Sequence, residues 1–150
     1  MKLPMQKDYP DHHDAELVMK AYELRRDPVL RDARKVITMD WWPKSLDDLK
    51  AIAGWEHPHN ASFRQVTSYW ELVYGMARHG IVHPEYMADS SGGEAFIILA
   101  KVHPWLAEFR TQTAGPRFLR NTEWMAVETE TGRELFSRLQ ARVDQLRASR

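Results

Sequence analysis

From Asn60 to Gly80 apolar residues return at alternating intervals of three and four, as Phe63, Val66, Trp70, Val73 and Ala77. On a helix of 3.6 residues per turn this spacing makes one stripe. Tyr69, Leu72, Tyr74 and Met76 widen it to an arc of roughly 200°, leaving Arg64, Ser68, Glu71, Gly75 and Arg78 for the rest of the circumference. A helix resting on a core needs only ~100°, so the pattern predicts a helix held between at least two partners. Asn60 reads as its N-cap, accepting from the N–H of Ser62 or Phe63, and Gly80 as a left-handed closing residue.

The remaining pattern is helical as well. Residues 1–9 read as a flexible arm, and Pro10-Asp11 opens a first helix through Leu17, Val18, Ala21, Tyr22 and Leu24 to about Arg26. Asp27-Pro28 is a cap followed by a first-turn proline, starting a second helix that runs through Leu30, Ala33, Val36 and Ile37 toward Trp41, with Pro43 as its stop. Ser45 with Asp48 starts a short third helix ended by Gly54, and residues 55–59 form a loop. His83-Pro84 begins one or two turns through Tyr86 and Met87, which Asp89-Ser-Ser-Gly-Gly93 interrupts. The apolar run Ala95–Ala100 suits a strand or a helix by itself. Ile98, Val102, Trp105 and Phe109 keep helical spacing beyond it, so it reads as a helix broken near His103-Pro104, where proline removes a ladder bond. After a turn at Thr113–Pro116 the last helical region starts near Leu119. Thr131-Gly-Arg-Glu134 has capping-box form, which divides that region near Glu130, and Leu135, Leu139, Val143 and Leu146 make its narrow stripe.

The fold class is therefore all-α: a single-domain helical bundle, residues 10–150, of about six to eight helices around a buried central helix at about 60–80. Twenty-one basic and twenty-one acidic residues cancel, so no net field draws the protein to nucleic acid or an anionic membrane. Without cysteine there are no disulfides, thiol nucleophiles or sulfur-ligated zinc sites, and the cytoplasm is the expected compartment. No segment approaches the ~18 apolar residues of a membrane span, so a soluble protein is expected.

Chemistry is sparse. His12, His13 and Asp14, together with Glu16, place imidazole and carboxylate near a helix start, and His57 and His59 project two imidazoles from a loop. His12, His13, Asp14, His57 and His59 are the metal-ligand candidates, although helix-start polarity and a solvated loop also account for them, and a metal normally requires a third ligand. His79 suits the carbonyl end of the central helix. No catalytic motif, cofactor fingerprint or phosphate-binding glycine loop is present, so no catalytic residue and no cofactor are assigned. Trp41-Trp42 at a helix end cannot readily share one core, which leaves one indole to cover a groove or a partner. Arg133, Arg138, Arg142, Arg147 and Arg150 make the C-terminal helix locally basic, while its leucine stripe suits pairing with a second copy.

Asn60 with Phe63, Trp70-Glu71, His79-Gly-Ile-Val82 with Glu85, and Trp105 with Arg110 cover about a third of the chain. In these residues it resembles an uncharacterised family of small bacterial helical proteins, a domain of unknown function whose members include membrane-tethered forms. The resemblance implies an all-helical domain and assigns no activity. Wide apolar faces and missing reaction chemistry point to an interaction or assembly module that self-associates or binds a protein partner. The alternatives are a metal-dependent enzyme using histidines and carboxylates gathered by the fold, and nucleic-acid binding through the basic C-terminal helix.

Overall fold

The computed structural model describes residues 7–150; of the expected N-terminal arm, residues 1–6 lie outside the described residues. Eight helices of at least eight residues form the domain: α1 (His12–Leu24), α2 (Pro28–Lys35), α3 (Leu46–Ala53), α4 (Asn60–Arg78), α5 (Pro84–Ser91), α6 (Glu94–Val102), α8 (Arg120–Glu128) and α9 (Glu130–Ala148). A single turn, α7 (Leu106–Phe109), stands between α6 and α8, and no strand occurs among the described residues.

The long helix α4 lies where the periodicity puts it. Phe63, Val66, Trp70, Val73 and Ala77 are all buried, and α2 and α8 flank the helix while α3 and α5 meet its ends. Its apolar arc is narrower than expected because Leu72 is 71% exposed. The most enclosed helix is α6, where Ala95, Phe96, Ile98, Leu99, Ala100, Lys101 and Val102 are buried between its neighbours. The break expected at Pro104 is present as a 3-10 turn, His103–Trp105.

Both ends of α4 follow local chemistry, one of them differently from expectation. Gly80 has φ +77°, its N–H donates to Ala77 O, and Ile81 N–H reaches back to Met76 O, completing a left-handed helix stop. At the other end Asn60 is not the cap. The loop already turns, with Asn60 N–H donating to His57 O, so the helix includes Asn60 and leaves His59 at the cap position. Asn60 Nδ2 instead donates to Ile52 O at 2.8 Å, and its Oδ1 accepts from Arg64 Nε, tying the start of α4 to the end of α3.

Other boundaries move for similar reasons. Asp11, Asp27 and Ser45 cap α1, α2 and α3 as read, but Tyr22 and Leu24 of α1 face solvent at 55% and 46% exposure. After Lys35 the second helix widens into a π-helical turn, Val36–Asp40, instead of continuing regularly. Asp89-Ser90-Ser91 continues α5, and the interruption is confined to Gly92 and Gly93. The C-terminal region is two helices, as expected, but Thr129 is the junction: its Oγ1 accepts from Gly132 N and donates to Met125 O. The stripe of α9 packs on α6, with Val143 buried and Leu135 and Leu139 against the core, so it is consumed within the chain. Trp41 enters the core edge-on to Phe63, while the half-buried Trp42 lies 4.1 Å from Lys101 Nζ and 4.2 Å from the Arg150 guanidinium.

Carboxylates from one helix capping the N-terminus of another connect the bundle. Glu71 of α4 accepts from Asn121 N and Thr122 N of α8 at 3.0 and 2.8 Å, and from Thr122 Oγ1 at 2.7 Å. Glu85 of α5 does the same for Glu130 N and Thr131 N of α9. Burial alone would raise the Glu85 pKa, but these donors hold it below the ordinary carboxylate range. Negative charge at a helix start also opposes the positive end of the helix dipole. Glu71→Gln retains the side chain's size but loses the charge and one of the acceptors. It should cost about 2 kcal/mol, read in a thermal melt as a drop of roughly 4–8 °C.

Candidate functional site

Helix α1 has two apolar faces. Leu17, Val18 and Ala21 pack on the core, as a surface helix requires. On the outward side Ala15, Met19 and Tyr22, separated by four and three residues, floor an open groove of about 670 Å³. Met19 is 64% and Tyr22 55% exposed. Glu16 and Glu23 alternate with Lys20 and Arg26 along the rims, so the groove is apolar in the middle and charge-balanced at its edges.

At the C-terminal end of this groove the surface changes character. Tyr22, Arg25, Arg26, Arg31 and Arg34 line an adjoining cleft of about 410 Å³ between the end of α1 and the outer side of α2. Arg34 grips Glu94 of α6 through Nε at 2.7 and 2.9 Å, and its Nη1 donates to Arg25 O at 3.2 Å. Trp70 Nε1 donates to the same Glu94 carboxylate at 2.7 Å, so that acid has donors on both sides. The Arg25 guanidinium lies 5.4 Å from the Trp70 ring and 5.6 Å from Tyr22, and its buried Nε has no hydrogen-bond partner among the described residues. Tyr69 OH donates to Ala21 O, anchoring α1 to α4 beside the cleft. Burial pushes that phenol up to about 12.

The histidine and acid candidates have separate positions. His12 and His13 are exposed with ring centroids 4.1 Å apart. Asp14 is fully buried and turned the other way, its oxygens accepting from Asp11 N at 2.8 Å, His83 N at 2.9 Å and Lys7 Nζ at 3.0 Å. Burial pushes its pKa up, but the two backbone donors and Lys7 outweigh this and hold the carboxyl below its ordinary range. The rings of His57 and His59 are 5.7 Å apart, and His57 Nδ1 accepts from His59 N. His83 caps α5 through Nδ1, and His103 meets Gln140. Among the described residues no three His, Asp or Glu side chains come together as a metal-ligand group.

The basic C-terminal helix is partly engaged inside the chain. Arg147 donates to Lys101 O at 2.6 Å and lies over Trp105, Arg133 donates to Val127 O, and Arg138 pairs with Glu134. The arginine cleft was not anticipated, because Glu94 and Trp70 are distant in sequence from Arg25 and Arg34. Its local signal is Arg25-Arg26 directly before the Asp27-Pro28 helix start, with Arg31 and Arg34 three apart on one face of the next helix.

The fold defines an all-α, single-domain helical bundle, and no described helix is long and apolar enough to cross a membrane. Residues 10–129 match the model of DUF4760, a domain of unknown function, and the chain belongs to that family. The matched residues end at Thr129, the junction before α9. Comparisons with curated proteins and with solved structures gave no match.

Proposed function

We propose that this domain is an interaction and assembly module, that the outward face of α1 is its docking surface, and that the occupant is a second copy of the same chain. The observation that carries this reading is the second apolar face of α1: Met19 and Tyr22, large and mostly exposed, stand one turn apart beside Ala15 while the helix already has a face on the core. A helix that only covered its own core would carry polar residues there. A copy is favoured over a partner of opposite charge because the rims hold two acids, Glu16 and Glu23, against two bases, Lys20 and Arg26, and the whole chain has zero formal net charge. Two such faces meet without net repulsion, and an isologous contact buries both apolar strips at once.

The test is the mass of the full chain in solution. Size-exclusion chromatography with light scattering should give a dimer for the native sequence and a monomer for Met19→Asp combined with Tyr22→Ser. Both positions are exposed, so the helical circular dichroism and melting temperature of the variant should stay close to those of the parent. A variant that remains dimeric would place the contact elsewhere and overturn the assignment of α1.

A further inference from the structure

We infer that the four-arginine cleft between α1 and α2 is a binding site for a phosphate oxyanion, adjoining the apolar docking face and sharing Tyr22 and Arg26 with it. Arg25, Arg26, Arg31 and Arg34 line a cleft of about 410 Å³, and the carboxylate that Arg34 binds, Glu94, is already shared with Trp70. The neighbouring acid Asp27 is turned away to cap α2, accepting from Val29 N and Leu30 N. Among the described residues Arg25, Arg26 and Arg31 form no ion pair. Like charges so placed repel one another unless an anion enters.

Three features distinguish this cluster from scattered surface arginines. Arg34 is held in one orientation by Glu94 and by Arg25 O, so part of the site is preorganised. Arg25 is packed against the Trp70 and Tyr22 rings, and its buried Nε–H has no acceptor within the described chain. A buried donor without a partner is costly, and it marks Arg25 as a cation that the described chain does not neutralise. The exposed Arg26 and Arg31 then close on the anion from the open side. Guanidinium forks match tetrahedral oxyanions by paired hydrogen bonds, which a lysine cluster does not reproduce, and the small polar cleft suits a phosphoryl group rather than an extended polyanion.

The experiment titrates the full chain with inorganic phosphate and pyrophosphate, following heat and the arginine Nε–H signals by NMR, and in a second arm with phosphatidylcholine vesicles containing phosphatidic acid. The buried Arg25 Nε–H signal should shift on binding, with a Kd at or below about 1 mM. Arg31→Ala should weaken binding by about tenfold or more while the melting temperature is unchanged, and Arg31→Lys should recover only part of the loss. Binding of free phosphate or pyrophosphate assigns the site to a soluble ligand, and binding of the vesicles alone assigns it to a lipid headgroup; both support the oxyanion site. No response in either arm, or a response that Arg31→Ala leaves intact, overturns it. Met19→Asp should leave the titration unchanged, which separates this site from the dimer contact.

Discussion

Lys101→Met will destabilise the protein by about 3 kcal/mol, lowering its melting temperature by roughly 6–12 °C, although the substitution makes a buried position more hydrophobic. Lys101 has no exposed surface, and its Nζ donates to Ile37 O at 2.9 Å, Thr38 O at 2.6 Å and Trp41 O at 2.7 Å. These carbonyls belong to the end of the second helix, where the π-helical turn leaves acceptors without partners and where the helix dipole favours a cation. Methionine would fill the space and satisfy none of them. The lysine also carries a pH signature. Burial first, then the Arg150 and Arg147 guanidiniums, push its pKa down to about 7, while Asp40 pulls it up. The three carbonyl acceptors and the Trp42 ring also favour the ammonium, since only that form has three N–H donors.

With a lower pKa in the folded state than in the unfolded one, the unfolded chain binds the extra proton between about pH 7 and pH 10. Native stability should therefore rise with pH across that window, by at most about 1.4 kcal/mol per unit. Above about pH 10 half-buried Tyr69 and buried Tyr74, whose pKa values burial raises, reverse the trend because they ionise first in the unfolded chain. Urea denaturation of parent and Lys101→Met from pH 7 to 10 checks both parts. The parent's rise should vanish in the variant, and a flat parent profile would contradict the lowered pKa.

Gly132→Ala should be at least as damaging, at about 3 kcal/mol or more, and for a different reason. Gly132 is buried at the start of α9, where its N–H meets Thr129 Oγ1 at 2.8 Å. A Cβ there would overlap Met125 O and Thr129 Oγ1 and lie 2.9 Å from Met125 C. Two of these atoms are backbone at the end of α8, so no side-chain rotation relieves the clash and the α8–α9 junction itself must open. Gly93→Ala is the control. Nothing lies within 4 Å of its Cβ position and its backbone is at φ −78°, so alanine should be neutral or stabilise by about 0.4–1 kcal/mol. Equal melting temperatures for the two variants would contradict this account of the junction.

The legible parts of the fold were those written in local periodicity. The stripe from Phe63 to Ala77, the Asp27-Pro28 start, the Gly80 stop and the break at Pro104 each depend on residues within a turn or two of one another. Capping across elements was not legible in this way. Glu71 and Glu85 look like ordinary surface acids in sequence and Asp14 like a metal-ligand candidate, yet each closes the start of a different helix or loop through backbone N–H groups far along the chain. Asn60 departs from the expected cap for the same reason: its partner is Ile52, and a cap depends only on the residues that follow. Lys101 follows an apolar run and has no local partner, so nothing near it announces a buried cation. The candidate site divides similarly. Tyr22 is named by the pattern together with Leu17, Val18 and Ala21, and Met19 is not, because which face of α1 meets the core depends on its neighbours. The arginine cleft requires α1, α2, α4 and α6 to be in place at once.

Helix α1 connects these observations, since it carries the outward apolar groove, leads into the arginine cleft and is fastened below by Asp14 and Tyr69. A helix anchored on one side and presenting a second apolar face on the other is the central element of the proposed assembly role. Sedimentation velocity of the unmodified chain from about 1 to 100 μM examines that role most directly. The sedimentation coefficient should rise with concentration from the monomer value to that of a dimer. A single monomer value across the whole range would contradict the proposal.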